Sequence, residues 1–142
     1  MNQNPIWTEV HDLMAEAAWR ARGNAWAPYS GFKVGCALLT SEGNIVAGCN
    51  VENASYGLTQ CAERCAVCVG VANGHHAFTD AVVVTDQLDP APPCGACRQV
   101  LYEFGANMRV WLLGSNGVRE YHRIVDLLPH AFTFQPGNAT TR

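Results

Sequence analysis

The chain has 142 residues, 49% of them hydrophobic and 15% charged, with a formal net charge of -3. That length suits a single domain over residues 1–142, and the apolar content can fill a sizeable core, which excludes an intrinsically disordered protein. The acidic balance leaves no basic footprint for nucleic acid, no apolar run is long enough for a bilayer, and Met1-Asn2-Gln3-Asn4-Pro5 lacks the features of a signal peptide, so no membrane partner and a cytoplasmic location are expected. Trp7 to Arg22 reads as an amphipathic helix, because Val10, Leu13, Met14, Ala17, Ala18 and Ala21 recur at helical spacing before Gly23-Asn24. Ala27 to Gly31 is a loop. Phe32 to Thr40 and Ile45 to Asn50 form a hairpin about Ser41-Glu42-Gly43-Asn44. Glu52 to Gln60 is polar and irregular, the expected wall of a site. Cys61 to Asn73 is a second helix closed by Gly74, and Ala81 to Thr85 is a short apolar strand suited to the middle of a sheet. A proline-rich loop, Asp86 to Pro93, leads into a third helix, Gly95 to Phe104. Arg109 to Leu113 is a fourth strand, Val118 to His122 an edge strand, and Ile124 to Leu128 a short last helix stopped by Pro129. A hairpin followed by alternating helices and strands predicts a three-layer α/β/α domain around a mixed five-stranded sheet.

Cysteine usage narrows the chemistry. Seven cysteines, an odd number in a chain without a signal peptide, argue against a secreted disulfide framework. Cys36 and Cys49 lie in strands and read as small buried residues. Cys65 and Cys68 lie on the second helix, with Cys65 one turn beyond Cys61. The other three form a pattern: Cys61-Ala62-Glu63, then Pro93-Cys94-Gly95-Ala96-Cys97. A structural zinc site closes with four protein ligands, whereas a catalytic one keeps three and leaves a place for water. Three thiols and a non-ligating acid match the signature of zinc nucleobase deaminases, in which the glutamate moves protons. One zinc per chain is therefore expected on Cys61, Cys94 and Cys97, with Glu63 as the catalytic acid and base.

Both halves of the motif sit where a loop enters a helix, and the free N–H groups there favour thiolate over thiol. A zinc ion can lower the pKa of its water from ~15.7 toward ~7. Three thiolates weaken that effect, so one or both of Arg64 and Arg98 are expected to compensate by donating hydrogen bonds to the sulfurs. A structural zinc site with Cys65 or a histidine as fourth ligand would leave Glu63 idle. A thioredoxin-like reading of Cys94 to Cys97 has no need of Cys61-Ala62-Glu63. His75, His76, His122 and His130 lack metal-like spacing and read as solvated, and Trp7, Trp19, Trp26 and Trp111 read as packing residues.

Beyond the thiol motif, the chain resembles the small homotetrameric cytidine deaminases. Ala27-Pro28-Tyr29-Ser30 with Phe32 to Leu39, Gly48 to Ala54, Cys61 to Arg64, Pro93 to Val100, and Leu127-Leu128-Pro129 before Ala131-Phe132 carry the resemblance. It implies a cytidine-deaminase-like fold and the zinc-dependent hydrolysis of cytidine and 2′-deoxycytidine to the uridine products and ammonia. It also implies a homotetramer in pyrimidine salvage, with a small-molecule nucleoside as partner. Phe32 would lie against the pyrimidine, Asn50 and Glu52 would bind the ribose 3′-hydroxyl, and Ala62 would offer its N–H to the base carbonyl. Tyr56 and Phe132 would complete a neighbouring subunit's pocket. The chain departs from the family at Cys65, commonly Thr, at Cys68, at His75-His76, and in the proline-rich segment 86–92. A carboxylate at Glu52 accepts bonds from sugar hydroxyls and repels phosphate, which favours a free nucleoside over a nucleotide. A deaminase of a cytosine nucleoside antibiotic is the alternative enzyme, and a polynucleotide editor is disfavoured by the acidic chain.

Overall fold

Helix α1 spans Glu9–Gly23 in a computed structural model that describes residues 5–134. It starts two residues later than its hydrophobic pattern predicts. Thr8 is the N-cap, and its N–H donates to His11 Nδ1 at 3.0 Å. Trp7 is thereby left outside the helix, where it packs edge-on against Trp111. Strands β1 (Val34–Thr40) and β2 (Ile45–Cys49) form the hairpin. Next come a 3-10 turn at Tyr56–Leu58, helix α2 (Ala62–Ala72), strand β3 (Phe78–Thr85) and helix α3 (Gly95–Phe104). Strands β4 (Arg109–Leu113) and β5 (Arg119–Arg123) and the short helix α4 (Ile124–Leu127) complete the described chain.

The sheet order is β2-β1-β3-β4-β5, with β3 and β4 parallel and the other pairs antiparallel. The mixed five-stranded α/β/α architecture is as the sequence predicts. Alternation along the central strands decides what each face carries. Ala37, Val82 and Val84 point to one side and meet Met14 and Ala18 of α1. Cys36, Leu38 and Val83 point to the other and meet Ala66 and Val67 of α2 and Leu101 of α3. Two glycines set how closely the helices approach. A Cβ on Gly35 would collide with the Ala18 carbonyl oxygen in α1, and one on Gly48 with the Ala66 amide nitrogen in α2.

Several boundaries differ from expectation for local reasons. Strand β1 begins at Val34 rather than Phe32, because the Asn50 side chain replaces the ladder there: Val34 N–H donates to Asn50 Oδ1 at 2.9 Å and Asn50 Nδ2 donates to the Phe32 carbonyl at 2.7 Å. Strand β3 begins at Phe78 rather than Ala81, crossing a register shift opposite Leu39/Thr40 and placing Asp80 within the sheet. Cys61 is the N-cap of α2 rather than its first residue. Cys36 is fully buried as expected, whereas Cys49 is only half-buried.

Candidate active site

A pocket of about 270 Å³ opens beside the C-terminal end of β3, where the N-termini of α2 and α3 converge. Cys61 and Cys94 are the N-caps of those helices, and Cys97 lies one turn into α3. The three sulfurs all fall within 4.8 Å of one another. Cys97 is buried, Cys61 half-buried and Cys94 exposed, with Cys61 Sγ and Cys94 Sγ 3.8 Å apart. No wider His, Cys, Asp or Glu cluster with such convergence occurs among the described residues.

Electrostatics favour a bound cation. Bonding from Cys97, with smaller contributions from Arg64 and Cys94, outweighs desolvation and holds the Cys61 thiol down to about 5. Its bond to Cys61, then burial and the Glu63 charge, push the Cys97 thiol the other way. Arg64 donates from Nη2 to the Thr59 carbonyl at 3.2 Å and to Cys61 Sγ at 3.6 Å. Its Nε is buried with no partner among the described residues. This is the compensating charge that three thiolates demand. A soft three-sulfur donor set at two helix N-termini fits zinc.

Glu63 sits beside the sulfurs and lines the pocket at 5% exposure. Burial is the largest influence on it and raises its carboxyl above the usual range. Its side-chain partner is the Cys97 thiol, which donates to Oε2 at 3.6 Å. A carboxyl raised in this way holds its proton more readily than an exposed one, as a group that must both take and give a proton requires. Ala62, buried next to it, is the first residue of α2 and lines the pocket. The N–H groups of a helix's first turn have no partners within the helix.

The opposite wall is formed by Phe32, Asn50 and Glu52. Asn50 spends its oxygen and one N–H on the backbone of Val34 and Phe32, and its second N–H has no partner among the described residues. Glu52 accepts from the backbone N–H groups of Tyr29 and Ser30, at 2.9 and 3.1 Å, and from the Ser30 hydroxyl. The Ser30 hydroxyl holds the carboxyl below its usual range against desolvation, the next largest influence, and the two backbone bonds add to the lowering. The loop from Ala27 to Gly31 is thereby pinned to the pocket rim.

Of the remaining expected residues, Tyr56 and Phe132 belong by expectation to a neighbouring subunit's pocket and not to this one, and Arg98 takes other partners than a sulfur. Tyr56 and Phe132 are 74% and 72% exposed and line no part of the pocket. Tyr56 stacks edge-on with Tyr29 in an adjoining hollow, and the Phe132 carbonyl accepts from Gln99 Nε2 at 2.9 Å. Arg98 does not face the sulfurs. Its Nε donates to the Pro93 carbonyl and its Nη1 to the Leu127 carbonyl, both at 2.8 Å, so the expected thiolate bond belongs to Arg64 alone. Residues that the sequence reading gave no role also line the pocket, among them Ser30 and Thr85, while Ala91 and Pro92 bring the proline-rich segment to its mouth. Thr85 follows from the even spacing of Ala81, Val83 and Thr85 along β3. Ser30 comes from a loop, which carries no such periodic signal.

Fold and site together define a zinc-dependent deaminase of the α/β/α type. Residues 8–113 match the model of the cytidine and deoxycytidylate deaminase zinc-binding region. The chain is 45% identical to a cytidine deaminase from Sporosarcina psychrophila over 88% of this chain and 92% of the relative. It is 43% identical to one from Halalkalibacterium halodurans over 89% and 96%. A crystal structure of the cytidine deaminase from Burkholderia pseudomallei superposes with a TM-score of 0.83 at 48% identity, covering 86% of this chain and 98% of that one. The chain belongs to the cytidine deaminase family.

Proposed function

We propose that this protein hydrolyses cytidine and 2′-deoxycytidine to uridine and 2′-deoxyuridine, adding water at C4 of the base and releasing ammonia. The observation that carries the reading is the buried carboxyl of Glu63 against three convergent thiols at the end of one pocket. Cys61, Cys94 and Cys97 would hold the zinc ion, and its chemistry there would be Lewis-acid activation of a water molecule at neutral pH. Glu63 takes a proton from the attacking water and delivers it to the ring nitrogen, then takes the proton of the new C4 hydroxyl and delivers it to the amine as the C4–N bond breaks, leaving the C4 carbonyl and ammonia. Arg64 offsets the charge of the sulfurs. The Ala62 N–H donates to the base carbonyl, and Phe32 packs against the ring.

On the sugar side, the second N–H of Asn50 donates to a ribose hydroxyl. Glu52 has about four acceptor sites and uses three on Tyr29 and Ser30, so one remains for a hydroxyl donor. Tyr56 and Phe132, exposed in one chain, are assigned to the pocket of a neighbouring subunit in a homotetramer. The enzyme is assigned to pyrimidine salvage in the cytoplasm, as one domain over residues 1–142. No helix of the described residues is long and apolar enough to cross a membrane.

The test is the ultraviolet absorbance of cytidine added to purified, zinc-analysed protein, with Glu63→Ala as control. Loss of the cytidine band with release of ammonia, absent in Glu63→Ala, is expected. Absence of turnover in a protein carrying one zinc per chain would reject this substrate and bring cytosine nucleoside analogues forward.

A further inference from the structure

We propose that Arg98 is a positioning residue for the thiol site: it clamps the Pro93-Cys94 peptide to the end of α4, sets the direction of the Cys94 sulfur, and ties the C-terminal segment to metal binding. The inference rests on the metal reading above. Arg98 makes two bonds to consecutive carbonyls. Its backbone N–H donates to Cys94 O at 3.0 Å as the opening bond of α3, while its side-chain Nε donates to Pro93 O at 2.8 Å. The Pro93 carbonyl lies before the N-cap and takes no part in the helix ladder, so the side chain supplies its partner. The backbone on either side of Cys94 is thereby fixed by one residue.

Cys94 needs this support more than the other two. It is the exposed member of the trio, with the least packing around it, whereas Cys97 is buried and Cys61 is bonded by Arg64. The far end of the guanidinium donates to Leu127 O, a carbonyl in the last turn of α4. Gln99, the next residue, holds Phe132 O. The residues immediately after Cys97 therefore anchor segment 127–132 to the helix that carries two of the three thiols. Only a planar fork reaches two carbonyls at this geometry, and a lysine offers a point charge instead.

The experiment compares zinc-loaded wild type, Arg98→Lys and a control, Arg109→Lys, whose side chain acts on the opposite face of the sheet. Zinc release to a chromophoric chelator is timed, and the visible spectrum of each cobalt-substituted protein is recorded. Release at least about tenfold faster in Arg98→Lys is expected, the usual effect of losing a group that orients a metal ligand. A changed thiolate-to-cobalt band should accompany it, with neither change in Arg109→Lys. Unchanged release and spectrum in Arg98→Lys, or equal acceleration in the control, would overturn the proposal. If Arg98→Lys does not fold, hydrogen exchange of wild type decides: removing zinc should deprotect 127–132 and leave α1 protected. Exchange at 127–132 that ignores zinc overturns the coupling. Wild type that binds no zinc at all overturns the metal reading, and the positioning role with it.

Discussion

Asp80 and Glu63 are carboxylates buried on opposite faces of one sheet, and their surroundings treat them in opposite ways. Asp80, at 0% exposure, receives Arg109 Nη2 at 2.8 Å and the Thr79 hydroxyl at 2.9 Å on one oxygen. Its other oxygen takes His11 Nε2 at 3.1 Å and Trp111 Nε1 at 3.4 Å. Because His11 Nδ1 accepts the Thr8 N–H, the ring proton sits on Nε2 and points at Asp80. Burial alone would raise the Asp80 carboxyl, but the bonds from Arg109, His11 and Thr79 outweigh it and lower it. Glu63 has burial without those donors, and its carboxyl is raised. A carboxylate with every lone pair engaged is a strut. One whose donors do not outweigh its burial can trade protons. Burial is common to both, and the donor count separates structure from catalysis.

The largest effect should come from Glu63→Gln, which removes the proton carrier while keeping shape. A fall in kcat of about 10³-fold or more is expected with zinc content unchanged, read by steady-state assay and metal analysis. A variant retaining a tenth of the wild-type rate would end the assignment of Glu63. Asp80→Asn should do the reverse, lowering stability by about 3 kcal/mol through loss of the buried charged bonds while the folded enzyme turns over within a few-fold of wild type. Urea denaturation under reducing conditions measures this, and a stability unchanged within error would refute the strut.

The two interface glycines give a matched pair on the same two faces. Gly35→Ala and Gly48→Ala should each cost about 1–3 kcal/mol by forcing a helix off the sheet. Only Gly48→Ala displaces α2, so only it should also speed zinc release; equal release from both variants would contradict this division. The smallest effect is in acid. Asp80 is lowered in the folded state, so its contribution is fully present above the ordinary aspartate range and is lost as pH falls through the lowered folded value. Stability measured from pH 6 down to 2 should therefore drop less steeply in Asp80→Asn than in wild type, and parallel curves would contradict the linkage.

The sequence carried the reacting groups because their chemistry constrains residue type and local spacing. Cys94 and Cys97 lie one helical turn apart, and Cys61 and Glu63 open another helix, so both halves of the site were legible, as were the strands that separate the two cores. His11 and Asp80 were missed, although an acid inside the apolar run from Phe78 to Thr85 is a signal that such a residue needs partners. The partners come from α1, 69 residues away, and from β4, and no local pattern joins them. Arg98 shows the same limit from the other side. Its place after Cys97 pointed to the sulfurs, but its side chain leaves the helix toward carbonyls that only the folded chain brings near. What the sequence determined was which atoms can react and which faces must be buried, since both follow from residue type and period. What the tertiary structure decided was where each long polar side chain ends, because that depends on which unpaired backbone and buried groups the fold leaves within its reach.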